Sequence, residues 1–194
     1  MSTEPHDEQA EAMAQLETMM DVLTKAIAAD PDDAEAYHRR GVAYGQMVEP
    51  QEALRDFTQV IRLRPDDAEA HYNRGMAHTS LHQPLQAIDD YTETVRLNPE
   101  HLDAYNNRAA SYIELRQPEQ AMPDLEQALT IDANSASAYA LRAMANALLG
   151  DEDQSAKDSE QATSLGFDGA ALEYLVMRAK QQRTPDLGGN DSQN

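Results

Sequence analysis

The sequence predicts an all-α fold built from repeated helix pairs, and three observations carry that prediction. Prolines stand at Pro31, Pro65 and Pro99, each 34 residues after the last, and the same phase continues to Ala133 and Phe167. Aligned on that period, four stretches read AEAYHRRGVAY from Ala34, AEAHYNRGMAH from Ala68, LDAYNNRAASY from Leu102 and ASAYALRAMAN from Ala136. Gly and Pro are few in a chain of 194 residues rich in Ala, Leu, Glu and Gln, so helix is the default expectation.

Each unit reads in the same way. Ala holds the third place (Ala36, Ala70, Ala104, Ala138), and an aromatic or His follows it (Tyr37, His71, Tyr105, Tyr139). A small residue holds the eighth place: Gly41, Gly75, Ala109, Ala143. A second small residue comes at Ala53, Ala87, Ala121 and Ser155, with bulkier Phe57, Tyr91 and Leu125 four places on. Two helices of about a dozen residues and a tight turn fit this period, with small residues where backbones cross closely and large ones in the grooves beside them. The predicted pairs are 34–47 with 51–64, 68–81 with 85–98, 102–115 with 119–131, and 136–149 with 153–165. Asp32 with Glu35 and Asp66 with Glu69 have capping-box spacing for the first helices. Pro50, Pro84 and Pro118 start the second helices, while Pro123 falls inside one and is expected to bend it.

The ends depart from the pattern. Residues 1–15 read as an N-terminal extension, partly disordered, before a cap helix over 17–30. Units at 34–67, 68–101, 102–135 and 136–169 follow, then an amphipathic cap helix over 169–183 with Asp168 at its N-cap. The solenoid thus spans 16–183, and the polar stretch 184–194, with Gly-Gly, is expected to be disordered.

Composition works by exclusion. There is no Cys, so disulfides, thiolate metal sites and a Cys nucleophile are ruled out. The formal net charge of −20 repels phosphate backbones and anionic lipid, which argues against nucleic-acid and membrane partners. The acidity reflects either a basic partner or adaptation to salt. With no apolar run long enough to span a bilayer and no signal-like N-terminus, a cytoplasmic protein is expected.

The repeat resembles the tetratricopeptide-repeat (TPR) family in its variant with Asn-Arg-Gly in the first helix. That signature stands as Asn73-Arg74-Gly75, with weaker versions at Arg39-Arg40-Gly41 and Asn107-Arg108-Ala109. The resemblance implies antiparallel helix pairs stacked into a right-handed superhelical solenoid, with the first helices lining a concave groove. It also implies a non-enzymatic scaffold or adaptor that binds a peptide or helical segment of another protein. On the ligand-facing places of the family the chain carries Glu35, His38 and Val42; Glu69, Tyr72, Asn73 and Met76; Asp103, Asn106, Asn107 and Ala110; and Met144. One rim is acidic (Glu35, Glu69, Asp103) and the floor mixed apolar, which suits a basic or mixed segment, Asn73 and Asn107 gripping its backbone. Some family members clamp a chaperone tail ending in EEVD with basic residues. The matching places here hold His38, Val42, Asn73, Asp103 and Asn107, of which only Asn73 fits. A self-associating oligomer or an assembly or chaperone-type factor is the competing reading.

Two other constellations could carry chemistry. Arg40, Arg74, Arg108 and Arg142 could form an anion track, but Asp56, Asp90, Asp124 and Asp158 follow each by sixteen residues. Structural ion pairing is the better account, since charges near a core are rarely left unpaired; pairing within or between repeats stays open. His71, His78 and His82 share a segment and would be the only basis for a metal-dependent enzyme. No third ligand of carboxylate or thiolate stands nearby, so no metal, cofactor or catalytic residue is expected.

Overall fold

The computed structural model describes residues 5–183, with side chains described from residue 14. Among the described residues there are ten helices and no strand. The chain divides into two compact units, residues 1–104 and 105–194.

The first unit holds α1 (Pro5–Ala29), α2 (Ala34–Gln46), α3 (Pro50–Leu63), α4 (Ala68–Ser80), α5 (Pro84–Leu97) and the start of α6 (Leu102–Glu114). α1 packs on α2, α2 pairs with α3, α3 rests on α4, and α4 pairs with α5. The second unit holds the rest of α6, α7 (Pro118–Ile131), α8 (Ala136–Leu149), α9 (Glu152–Ser164) and α10 (Gly169–Gln182). There α7 rests on α8, α8 pairs with α9, and α10 lies mainly on α8 and less on α9. The eight helices of the four repeats begin and end within one residue of the spans their spacing predicts.

Local chemistry sets the helix ends. Asp33 accepts from the amide of Ala36, Asp67 from that of Ala70, and Ser135 from that of Ala138. The expected capping boxes at Asp32 and Asp66 are therefore displaced by one residue. The cap moves to the second Asp of each Pro-Asp-Asp turn, and the residue three places on is Ala, so no reciprocal bond forms. Pro50, Pro84 and Pro118 occupy the first turn of α3, α5 and α7, where a missing N–H costs nothing. Pro123 sits inside α7, yet that helix is as long as α3 and α5, with 14 residues each. The first helix differs most from expectation. It starts at Pro5 and not near residue 17, because the stretch expected as an extension is built of Ala, Glu and Gln, strong helix formers. The expected tail, 184–194, lies outside the described residues.

Within each repeat, size is exchanged across the helix pair. A Cβ on Gly75 would stand 2.7 Å from the Tyr91 ring, and one on Gly41 would stand 3.0 Å from that of Phe57. Where the eighth place is Ala109, the facing aromatic has become Leu125, and both belong to one core cluster with Ala121 and Ala145. In the last repeat Ser155 donates from its hydroxyl to the Ala143 carbonyl at 2.8 Å and ties α9 to α8.

Candidate functional site

The four arginines are settled by geometry. Arg40 donates from Nε and Nη2 to the two carboxylate oxygens of Asp56, each at 2.8 Å. Arg74 grips Asp90, Arg108 grips Asp124 and Arg142 grips Asp158 in the same two-pronged way. Every pair closes within its own repeat, and the aspartates are buried. The hydrogen bond donated to the carboxylate holds the guanidinium pKa of Arg40, Arg108 and Arg142 above its ordinary value, against the opposing effect of burial. These arginines fasten first helix to second and leave no open anion track.

The histidines are likewise engaged. His71 donates from Nε2 to the Pro65 carbonyl at 3.0 Å, and His78 donates from Nδ1 to Gln83 Oε1 at 2.7 Å. His82 lies in the turn after α4, with a positive φ of 54°. Among the described residues no group of three or more His, Asp or Glu is placed to hold a metal ion.

Of the residues expected to line a groove, Val42 of α2 and Met76 of α4 are exposed. With Val48, Gly45, Phe57 and Asn73 they line an open, mostly apolar pocket of about 290 Å³. Asn73 donates from Nδ2 to His38 Nε2 at 3.3 Å, and the His38 ring stands edge-on to Phe57 with centroids 5.9 Å apart. Glu35, Glu69 and Asp103 are exposed at the starts of α2, α4 and α6. Tyr72, expected on the groove floor, is half-buried, with its ring 5.9 Å from that of Tyr91 and 4.5 Å from that of His101. Its neighbours make it part of the core cluster of Ala87, Tyr91 and Ala104.

In the second unit the expected residues are less open. Asn106 is buried at 6% exposure, with a side-chain oxygen that has no hydrogen-bond partner in the structure. Asn107 and Ala110 are half-buried. Met144 lines a hollow whose other wall is α10, through Leu175 and Ala179. The last helix therefore lies against the face on which Met144 was expected to meet a ligand.

Sequence reasoning did not include Val48 and Phe57 in the site. Val48 is 82% exposed and holds φ 58°, a left-handed conformation that a β-branched residue rarely adopts. The same conformation recurs 34 residues apart at His82 and Arg116, and the fourth copy of the place is Gly150 at φ 86°. That single glycine, read in phase, was the available signal.

No described helix is long and apolar enough to cross a membrane. No curated protein matches the sequence. Among solved structures the fold is similar to MamA, at 22% identity over 88% of this chain and 99% of that one, with a TM-score of 0.76. It is also similar to YrrB, described as a TPR protein with an unusual peptide-binding site, at 23% identity over 82% of each chain and a TM-score of 0.69. The first TPR domain of Spaghetti (RPAP3), bound to the HSP90 peptide SRMEEVD, is 25% identical over 62% of this chain and 96% of its own, with a TM-score of 0.59. Tetratricopeptide-repeat family models match residues 34–67, 68–101 and 102–135, more than half of the chain. Repeat, ion-paired helix couple and fold agree, and the chain belongs to the tetratricopeptide-repeat family.

Proposed function

We propose that the protein is a binding module whose first unit seats a short segment of a partner protein, an apolar anchor in the Val42–Met76 pocket and a Lys or Arg beside the acidic helix starts. The observation that carries this reading is the pocket itself, with three large apolar side chains, Val42, Val48 and Met76, held out to solvent around it. Exposed apolar surface rimmed by polar groups marks interaction sites. Glu35 and Glu69 stand seven residues before Val42 and Met76 on the same helices, a rise of roughly 10 Å. An extended ligand would span that with anchor and base about three positions apart.

Proteins of like fold are described with a peptide-binding site and with a bound chaperone peptide, which supports peptide capture as the activity. An acidic tail of the EEVD kind suits this chain poorly. The clamp places carry His38, Val42 and Asp103 where basic side chains would be needed, on a chain of net charge −20.

Selection of random displayed peptides on the native chain tests the proposal. Sequences with Lys or Arg near one large apolar residue are expected, with binding weakened by salt and lost in Met76→Glu, an exposed site where the fold should survive. Acidic selected sequences, or affinity unchanged by Met76→Glu, would overturn it.

A further inference from the structure

The two end helices are half-repeats, and their departures from the repeat match each other. In register, α1 stands where each repeat has its second helix, and α10 where each has its first. The place that holds Arg40, Arg74, Arg108 and Arg142 in the complete repeats holds Val176 on α10. The place that holds Asp56, Asp90, Asp124 and Asp158 holds Val22 on α1. The ion pair present in all four complete couples is thus replaced on both half-couples by valine. The adjoining small-residue places hold Met177 on α10 and Met19 on α1, so helices meeting there would cross at a wider separation than the couples at Gly41 and Gly75.

These faces are uncovered among the described residues. Val22 is 60% exposed and Met177 45%. Met177 and the half-buried Val176, which also packs against Ala140, Ala162 and Leu172, line an open hollow of about 330 Å³ between α9 and α10. Solenoid ends that face water need polar outer surfaces, and here Val22 and Met177 stand exposed among polar neighbours. Charge agrees in part: α1 carries the exposed Glu17, preceded in sequence by Asp7, Glu8 and Glu11, and α10 carries the exposed Arg178 beside Glu173, while Asp21 and Lys180 already pair with Lys25 and Glu152.

We propose that α10 of one copy receives α1 of the next, so that two half-repeats complete a helix couple and the protein associates head to tail. The contact is heterologous, so it continues from copy to copy unless a ring closes. It does not depend on the peptide pocket at Val42 and Met76.

Sedimentation of the full chain over a range of concentrations tests it. The native chain is expected to gain mass with concentration past the dimer. Val22→Asp, at an exposed place, should weaken association at least tenfold with helix content and melting unchanged, and Val176→Arg, at a half-buried place, should weaken it as much. Combined in one chain, they should restore it, because Arg and Asp would then meet in the register of the four complete repeats. Met177→Lys, at an exposed place, serves as the second variant should Val176→Arg fold poorly. A native chain that stays monomeric, association indifferent to Val22→Asp, or a double variant no better than the singles would overturn the proposal.

Discussion

His71 stands where the other repeats carry Tyr37, Tyr105 and Tyr139, and it makes α4 sensitive to pH. Its Nε2 is committed to Pro65, while Nδ1 faces the buried Asp90 carboxylate at 3.5 Å. Asp90 raises the imidazole pKa above its ordinary value; burial opposes this and the Pro65 carbonyl assists it. Arg74, which opposes a charge on His71, and His78, 3.8 Å from Asp90, are the other charged or titratable groups facing the site. A raised folded-state pKa contributes stability that is full below the unfolded value of about 6.5 and disappears as pH rises through the folded value. Asp90 acts in a different window. Burial would raise its pKa, but the facing His71 ring and the bonds from Arg74 lower it, so its contribution is lost only as pH falls into the acid range. The native chain should therefore unfold at lower urea at about pH 8 than at about pH 6, and His71→Tyr should reduce that difference. Equal pH dependence in the two proteins would contradict the assignment. The sequence registers His71 as a substituted packing place; its coupling to Asp90 follows from helix crossing, which one sequence does not display. Tyr72 shows the same limit. Its place in the repeat predicts a ligand-facing side chain, while its half-buried ring packs against Tyr91 and His101.

At the scale of the element, helix spans were legible because Pro, small and aromatic places repeat together, whereas turns were not. The turn after each first helix requires a left-handed residue, and three of its four occupants are Val48, His82 and Arg116. That conformation costs an L-residue roughly 1–2 kcal/mol, so the side chains hide the geometry from a reader looking for glycine. Caps shifted by one residue illustrate the same limit: two consecutive aspartates both satisfy the composition rule, and only backbone geometry chooses Asp33 and Asp67. Val48 combines the strained backbone with a place on the pocket rim, and strain of this kind collects at functional sites. Val48→Gly should raise stability by about 1 kcal/mol in urea unfolding while weakening capture of the selected peptides. A destabilised variant would show that the turn is not strained, and unchanged capture would remove Val48 from the site.

For the whole molecule, the row of four Arg–Asp couples is the feature that ties periodicity to stability. The spacing of sixteen was visible in the sequence, but pairing within a repeat and pairing with a neighbour fit it equally well until the helices were placed. Each aspartate is buried and each guanidinium only partly exposed, so removing one partner strands a charge, which typically costs about 3 kcal/mol or more. The loss should be local, because stability in repeat arrays sums over units and their nearest neighbours. Arg108→Ala is therefore expected to speed amide exchange in α7 and α8, which pack together, while α2 and α3 keep their protection. Arg108→Met with Asp124→Leu removes both charges at similar volume and should recover most of the loss, since an apolar pair often replaces a buried ion pair at little cost. Exchange that quickens equally along the chain would mean the couples act collectively. A variant of full stability that no longer captured peptide would return the arginines to the role of ligand contacts.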